Sequence, residues 1–523
     1  HELWKKIGGF DERFAPAYCE DSDFAFEVRK AGYKVLYQPK SEVIHFEGVS
    51  NGTDVNGTGL KRYQVENSVK LKEKWKDEFK NQFENTGGSN IFKARERSRD
   101  RKIILFVDHY VPTFDKDAGS RTTFQYIKLL IKKGFGVKFL GDNFMREEPY
   151  TTTLTQLGVE VLYGSQMQND IKEWIRENAA DIHLVYLNRP HIALKYIDFI
   201  KNHTDLKVIF YGHDLHFLRE YREYELTGDK SKKQASSYWK NIELEILHKA
   251  DMSYYPSQTE IRAICSINRY LAVKAITAYV YESFPYEHQE DFADREGIVF
   301  VGGFAHPPNT DAVLYFVNKV WRFIREKLKI NFYIVGSKAG SEITSLNNPD
   351  EGIIVKGFVS DEELERLYKS CRLAVVPLRY GAGVKGKVIE AVYHGVPVVT
   401  TEVGAEGIPE ADKVMRITGG SDKKDALSRI FDENMRMHED KYNSREDKAD
   451  SDVIKDGTMA IDGSIAGSAF SQDDYDAVRF ADTVIKLYED VNSLNAMSRA
   501  CGEYIRKYHS IDAVWDIIKD DFE

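Results

Sequence analysis

The sequence predicts an α/β protein: two successive parallel sheets with helices on both faces, behind a shorter and different amino-terminal unit. Three observations predict it. Apolar runs of strand length, such as "KIILFVDHYV" and "GIVFVGGF", recur from Lys102 onward, and runs that are apolar at nearly every position suit strands covered on both faces. Helix-length segments separate them, the alternation that a parallel sheet needs. The pattern restarts near residue 297, after a polar break at "ESFPYEHQEDFADRE", residues 282–296.

The bulk numbers bound the rest. The 523 residues are 42% hydrophobic and 12% aromatic, ample for sizeable cores, and ~100–200 residues per domain suggests about three domains. Lys plus Arg is 73 against 83 for Asp plus Glu, a net charge of -10 with no long basic block, which argues against nucleic acid as the partner. Cys19, Cys265, Cys371 and Cys501 are scattered, so neither a disulfide framework nor a zinc site is signalled and a reducing, cytoplasmic setting fits. No run approaches the ~18 apolar residues of a spanning helix, and no signal peptide is evident. Peripheral attachment at the inner face of a membrane stays compatible with this. The opening "HELWKKIGGFDERF" lacks a methionine and reads as a fragment or processed product.

Residues 1–60 form the first expected unit, with strand-like "KVLYQP" and "SEVIHF" around Pro39 and a helix in "EDSDFAFEVRKAGY". Residues 61–100 read as a charged surface helix followed by a hinge or short linker. The first sheet domain, 101–290, runs through "DAGSRTTFQYIKLLIKKGFGVKFLG", "GVEVLYG", "DIHLVYLN", "LKVIFYGHD" and "ADMSYYPS", with helix-like pieces that include 240–249. The second, 291–505, contains the helix "DAVLYFVNKVWRFIREKL", "NFYIVGS", "GIIVKGFV", the helix "DEELERLYKSC", "LAVVPL" and "VPVVTTEVG". Within it, about 420–475 is polar, without apolar periodicity, and reads as a partly mobile surface insertion. Helices close the chain, with 506–523 expected to pack back on the first sheet domain.

One stretch carries chemistry. "GAGVKGKVIEAVYHGVPVV", residues 381–399, leaves a strand and enters a helix. Gly381, Gly383 and Gly386 let a bulky anion approach the backbone. The helix amino end and the charges of Lys385 and Lys387 favour a diphosphate, and Glu390 could accept hydrogen bonds from the paired hydroxyls of a ribose. Local physics alone equally allows a solvated lysine loop before an ordinary amphipathic helix.

This stretch resembles the nucleotide-sugar motif of family 4 glycosyltransferases, whose GT-B fold has two facing Rossmann-like domains. The resemblance covers residues 101–523 apart from the insertion. The family commonly has two glutamates separated by seven residues; Glu390 matches the second, and Ala382 stands where the first would be. The missing acid's role near the transferred sugar is then absent or taken by another group. "VGGFAHPPNTDAVLYF" resembles the opening of the donor domain, with Gly302 and Gly303 either touching the ligand or making a tight turn, and Asn309 capping the next helix. Glu406 in "TTEVGAEGIP" could approach the nucleotide or sugar, or be an exposed loop acid. In the first domain, His213 and Asp214 of "FYGHDLHFLREY" match a family loop near the reaction centre, against a reading as loop structure and cap. In "DHYVPTFDKDAGSRTTFQYI", Gly119 would admit the leaving diphosphate, while Ser120 and Arg121 stand at a helix start. The resemblance implies a nucleotide sugar donor, a glycan or lipid-linked glycan acceptor, retention of configuration, no metal, and partner enzymes of bacterial surface polysaccharide (O-antigen or capsule) assembly. In that mechanism His213, Asp214, Lys387 and Glu390 are the catalytic set.

A second resemblance lies in "GGFDERFAPAYCEDSDFAFEVRKAGYKVLYQPKSEVIHFEGVS". It is similar to the later half of a family 2 glycosyltransferase of GT-A fold. Asp21 matches the general base, Glu20 and Asp23 would tune it, and His45 matches the histidine that completes a Mg or Mn site. That metal is expected only in an intact GT-A module, whose earlier half carries the nucleotide pocket. Competing readings are a non-catalytic sugar-nucleotide or glycan scaffold of a larger tandem enzyme, a phosphorylase, and an oxidoreductase or epimerase. The last lacks a G-x-G-x-x-G after a first strand.

Overall fold

The computed structural model describes residues 1–36, 41–44, 59–84, 87, 92, 101–284, 291–418 and 472–523. They form two compact units, His1–Arg101 and Lys102–Glu523.

The first unit holds α1 (Glu2–Ile7), α2 (Glu20–Lys30), α3 (Arg62–Lys74) and α4 (Lys76–Phe79). α2 carries Glu20, Asp21 and Asp23 in its first turn and Arg29 and Lys30 in its last, the charge order that the helix dipole favours. Asn67, fully buried on α3, donates to the carbonyls of Phe14 at 2.7 Å and Ala17 at 2.8 Å. It thereby ties the loop before α2 to α3. The strands expected at "KVLYQP" and "SEVIHF" are corrected for their described parts: residues 33–36 and 41–44 carry no strand, and Val43 and Ile44 are exposed. A strand needs partner edges to be stable, and no described residue of this unit supplies one.

The second unit contains two all-parallel sheets. The first comprises β1 (Ile103–Asp108), β2 (Gly136–Gly141), β3 (Glu160–Leu162), β4 (Leu184–Asn188), β5 (Lys207–Tyr211), β6 (Met252–Tyr255) and β7 (Val273–Ala275). Their order is β3-β2-β1-β4-β5-β6-β7. The helices between them are α5 (Ala118–Lys132), α6 (Tyr150–Gln156), α7 (Ser165–Asn178), α8 (Pro190–His203), α9 (His216–Thr227), α10 (Lys230–Lys249) and α11 (Gln258–Ile267). β1 lies between β2 and β4, and all six of its residues are buried, as its unbroken apolar run requires.

The second sheet comprises β8 (Ile298–Val301), β9 (Phe332–Val335), β10 (Ile353–Gly357), β11 (Leu373–Val376), β12 (Val398–Thr401) and β13 (Met415–Thr418), in the order β10-β9-β8-β11-β12-β13. Its helices are α12 (Pro307–Tyr315), α13 (Trp321–Lys327), α14 (Ser341–Thr344), α15 (Asp361–Ser370), α16 (Gly386–Tyr393) and α17 (Glu402–Ala405). The single helix expected over residues 311–328 is interrupted by a π-turn at Phe316–Val320. The wide turn keeps Phe316, Val320 and Trp321 all in the core. In both sheets the strand order reverses beside the first strand, and ligands of such sheets lie outside the carboxyl ends at that reversal.

The polar stretch from 420 lies outside the described residues up to 471, and 472–475 already belongs to α18 (Gln472–Glu489). α19 (Val491–His509) follows on the second sheet's core, and α20 (Ile511–Ile518) then crosses to the first. Ile511, Val514, Ile518 and Phe522 join the first sheet's core. The returning chain lies beside the outgoing one: Tyr281 and Ser510 form a parallel bridge, and the Tyr281 amide donates to the His509 carbonyl at 2.8 Å. No helix among the described residues is long and apolar enough to cross a membrane.

Phe522 is 1% exposed, with its ring centroid 5.7 Å from that of Phe135. Phe522→Ala should cost about 3–5 kcal/mol, read as a fall in the urea midpoint. An unchanged midpoint would show that the chain end is not part of this core.

Candidate functional site

Helix α16 starts directly behind the glycine loop, with Lys385 at its cap position. Gly381 and Gly383 have φ of 140° and 73°, a region that side chains other than glycine's strain to enter. Lys385 is buried and turns onto its own loop, donating to the carbonyl of Ala382 at 2.8 Å and to that of Gly383. It shapes the loop rather than projecting away from it. Burial, then the nearby Arg222, draws its pKa down against the pull of Glu406. Lys387 lies against β8: a Cβ on Gly302 would stand 3.1 Å from its Cε. Burial, followed by the charge of Lys385, lowers Lys387 to about 7.

The glycine turn after β8 is held from behind. Asn309 Nδ2 donates to the Gly303 carbonyl at 2.7 Å. Asn309 stands inside α12, whose cap position is His306, so the expected helix cap is corrected to a clamp on the glycine turn. Burial lowers His306 to about 4 and keeps it neutral.

On the first sheet, loops after β1, β4, β5 and β6 face this motif. Asp117 caps α5, accepting from the Ser120 amide at 2.8 Å and the Ser120 hydroxyl at 2.6 Å. Gly119 leaves space for a side chain of this protein: a Cβ there would be 2.7 Å from Arg189 Nη2. Arg189 and His213 end adjacent strands, and both are non-glycine residues in the left-handed region, at φ of 66° and 62°. Such strain concentrates at functional sites. Arg189 donates from Nε to Asp108 Oδ1 at 2.9 Å, while its Nη2 and the Nε2 of His213 are buried without hydrogen-bond partners among the described residues. Burial, then Arg189, holds His213 down to about 3, so the ring is neutral. Asp214 pairs with Arg219 and is held well below the usual carboxylate range by that guanidinium, against the effect of its burial.

Among the described residues the two sheets meet through a glycine contact and ion pairs of Arg121 with Glu390 and Asp361 and of Arg222 with Glu406. A Cβ on Gly383 would lie 3.3 Å from the His213 carbonyl, 3.4 Å from Asp214 Cβ and 3.5 Å from Glu260 Oε1. Arg121, on α5, donates from Nε to the Phe114 carbonyl at 3.0 Å and pairs through Nη1 with Glu390. Arg121 is therefore engaged with the expected ribose acid. Arg222, on α9, grips Glu406 with two bonds of 2.7 and 2.8 Å and also reaches the Gly381 carbonyl at 2.6 Å. Beside the Arg121–Glu390 pair lies a cavity of about 410 Å³, walled by Phe114, Phe124, Asp361 and Tyr393 among others.

The structure thus brings Gly383 to the His213–Asp214 turn, Lys387 to Gly302, Gly303 to Asn309, Arg121 to Glu390, and Arg222 to both Glu406 and the Gly381 carbonyl, with Lys385 bonded within its own loop and Gly119 against Arg189. Arg189, Arg222, Glu260 and His306 escaped the sequence reading. Arg222 sits in "REYREYE", which reads as a surface helix, and Glu260 follows Ser257 by three, which reads as a capping box. Only the left-handed turns flag Arg189, and a sequence does not show them.

The acids of the first unit do not converge. Asp23 is buried, accepting from Trp75 Nε1 at 2.7 Å and Lys74 Nζ at 2.9 Å, which makes it a packing group. Asp21 is exposed and accepts from the Ser22 amide at 2.6 Å, while Glu20 opens α2 with Oε2 buried. His45 lies outside the described residues. No group of three or more His, Cys, Asp or Glu side chains among the described residues is placed to hold a metal ion.

Comparison with known proteins agrees with this geometry. Residues 295–429 match the family model described as "Glycosyl transferases group 1". A 129-residue stretch, 24% of the chain, is 28% identical to an uncharacterized 44.6 kDa protein in the cps region of Klebsiella pneumoniae and spans about a third (33%) of that protein's length. A 49-residue stretch, 9% of the chain, is 43% identical to 16% of an N-acetylglucosaminyl-diphospho-decaprenol L-rhamnosyltransferase of Mycobacterium tuberculosis (strain ATCC 25618 / H37Rv). Among solved structures, sucrose-phosphate synthase of Thermosynechococcus elongatus aligns over 81% of this chain and 98% of its own, at 13% identity and TM-score 0.54. Anabaena HepE, in complex with UDP and glucose, aligns over 80% and 99%, at 13% identity and TM-score 0.50. At such identities the likeness is one of fold, that of two Rossmann-like halves. The segment that matches the family model carries the glycine–lysine loop and Glu390.

Proposed function

We propose that the chain is a glycosyltransferase that moves a sugar from a nucleoside diphosphate sugar to a glycan or lipid-linked glycan acceptor. The observation that carries the reading is the meeting of Lys387, the Gly302–Gly303 turn and Glu390 at the carboxyl ends of the second sheet, within the segment that matches the family model. The diphosphate rests on the amino end of α16 beside Lys387, and Glu390 accepts from the ribose hydroxyls. Those hydroxyls share or replace the bond that Arg121 makes to Glu390 in the empty cleft.

In the reaction the bond between the anomeric carbon and the β-phosphate oxygen breaks. An acceptor oxygen bonds to that carbon, and its proton passes to the departing phosphate. Charge develops on the phosphate, where Lys387 and the α16 amides lie ready. The configuration is retained, and the protein supplies this stabilisation without a metal. His213, neutral and with a free Nε2, holds a sugar hydroxyl from the first sheet, and Asp214 positions the loop through Arg219.

Residues 101–290 form the acceptor domain, 291–505 the donor domain, and 506–523 the closing helix. Residues 1–60 are the later part of a family 2 transferase domain, a reading that rests on "GGFDERF" and "EDSD". On this reading the chain acts in surface polysaccharide synthesis on the cytoplasmic side with partner assembly enzymes, and the name of one curated relative, an N-acetylglucosaminyl-diphospho-decaprenol L-rhamnosyltransferase, supports a lipid-linked acceptor.

Two measurements test this. Burial lowers Lys387 to about 7, and a bound diphosphate favours its charged form, so binding takes up a proton. UDP affinity should fall as pH rises from about 6 to about 9, with calorimetric heats that depend on the buffer's ionisation enthalpy. Lys387→Met should remove that dependence; its survival would place the phosphates elsewhere. Glu390→Ala should lower kcat/KM about 10–100-fold and bind UDP no better than its 2′,3′-dideoxy analogue. A variant that still prefers the diol would refute the ribose assignment.

A further inference from the structure

Glu260 is the third residue of α11, and its amide donates to Ser257 Oγ at 3.2 Å. Its side chain is 0% exposed. Oε1 accepts from the Leu215 amide at 2.8 Å, and Oε2 is buried with no hydrogen-bond partner among the described residues. Buried carboxyl oxygens are normally paired, so the capping box accounts for the backbone of Glu260 and leaves its head group unexplained.

The head group faces the second sheet. Oε1 is the group 3.5 Å from where a Cβ on Gly383 would stand, one residue from Ala382. Around it lie Glu406, held by Arg222, then Asp214 and Lys385, with Tyr211 and Tyr255 on the strand side. Burial first, then Glu406 and Asp214, pushes the Glu260 carboxyl upward towards its neutral form. A neutral carboxyl has one O–H to give. Oε1 already accepts, so the proton belongs on Oε2, the atom without a partner.

We propose that Glu260 binds the transferred sugar, donating from Oε2 to one of its hydroxyl oxygens beside the loop that carries the phosphates. Hydroxyls both donate and accept and suit a neighbourhood of arginine-paired carboxylates, a lysine and tyrosines. Gly383, against Oε1, belongs to the proposed phosphate loop, which is where the sugar of a nucleoside diphosphate sugar begins. The first sheet thereby places an acid beside position 382, where the loop itself carries alanine. This assignment rests on the donor site proposed at 381–390.

The test compares UDP-glucose, GDP-mannose and dTDP-rhamnose, each with its free nucleoside diphosphate, by calorimetry on the full chain. For the sugar nucleotide that binds tightest, Glu260→Ala should weaken binding about tenfold and leave the free diphosphate unchanged. Glu260→Gln keeps an N–H donor in the same place and should retain most of the affinity. Should the alanine variant fail to fold, Glu260→Asp withdraws the acid by one methylene and should show the same selective loss. Equal weakening of sugar nucleotide and free diphosphate, or no weakening of either, overturns the proposal. Diphosphate binding that ignores Lys387→Ala overturns the donor site, and the Glu260 contact with it.

Discussion

Two arginines cross from helices of the first sheet to glutamates of the second, Arg121 to Glu390 and Arg222 to Glu406. All four groups are largely removed from water, where a charge without its partner costs several kcal/mol on the order of 3–5. The pairs therefore hold the sheets at one separation and fix where the glycine loop sits. Arg222 also takes the Gly381 carbonyl, so the loop's position follows from a residue more than a hundred positions earlier. The close approach of Gly383 to the His213–Asp214 turn is available only in that arrangement.

The same exclusion of water sets the protonation of the cleft. His213 and His306 are held neutral, and Lys387 is poised near neutrality. The carboxyl of Glu260 is pushed toward its acid form. Desolvation is the first cause in each case. Burial thus favours the uncharged forms of His213, His306 and Glu260.

Much of the architecture was legible because it is local. Unbroken apolar runs marked the central strands, and the glycine–lysine cluster between a strand and a helix marked where an anion could approach. β13, four residues of "MRIT" before a polar stretch, carries too little pattern to read, and β7 is shorter still. The site was half legible for the same reason. Lys387 and Glu390 declare themselves by spacing within one segment. Arg222, Arg189 and Glu260 acquire meaning only from what stands opposite them in space, and each has a complete local explanation as a surface helix residue, a residue before proline or a cap. Lys385 is legible as a charge but not in its partners: its ammonium is bonded to carbonyls two and three residues back.

The chain passes between the sheets twice, and the two passes run side by side where Tyr281 meets Ser510. A single tether would let the halves swivel and slide. Two adjoining tethers behave as a two-ply hinge, flexible in bending about one axis and stiff against shear and torsion. A halves-apart excursion that admits a bulky substrate would therefore bring the same residues back into register each time it ends, without any search among alternative dockings.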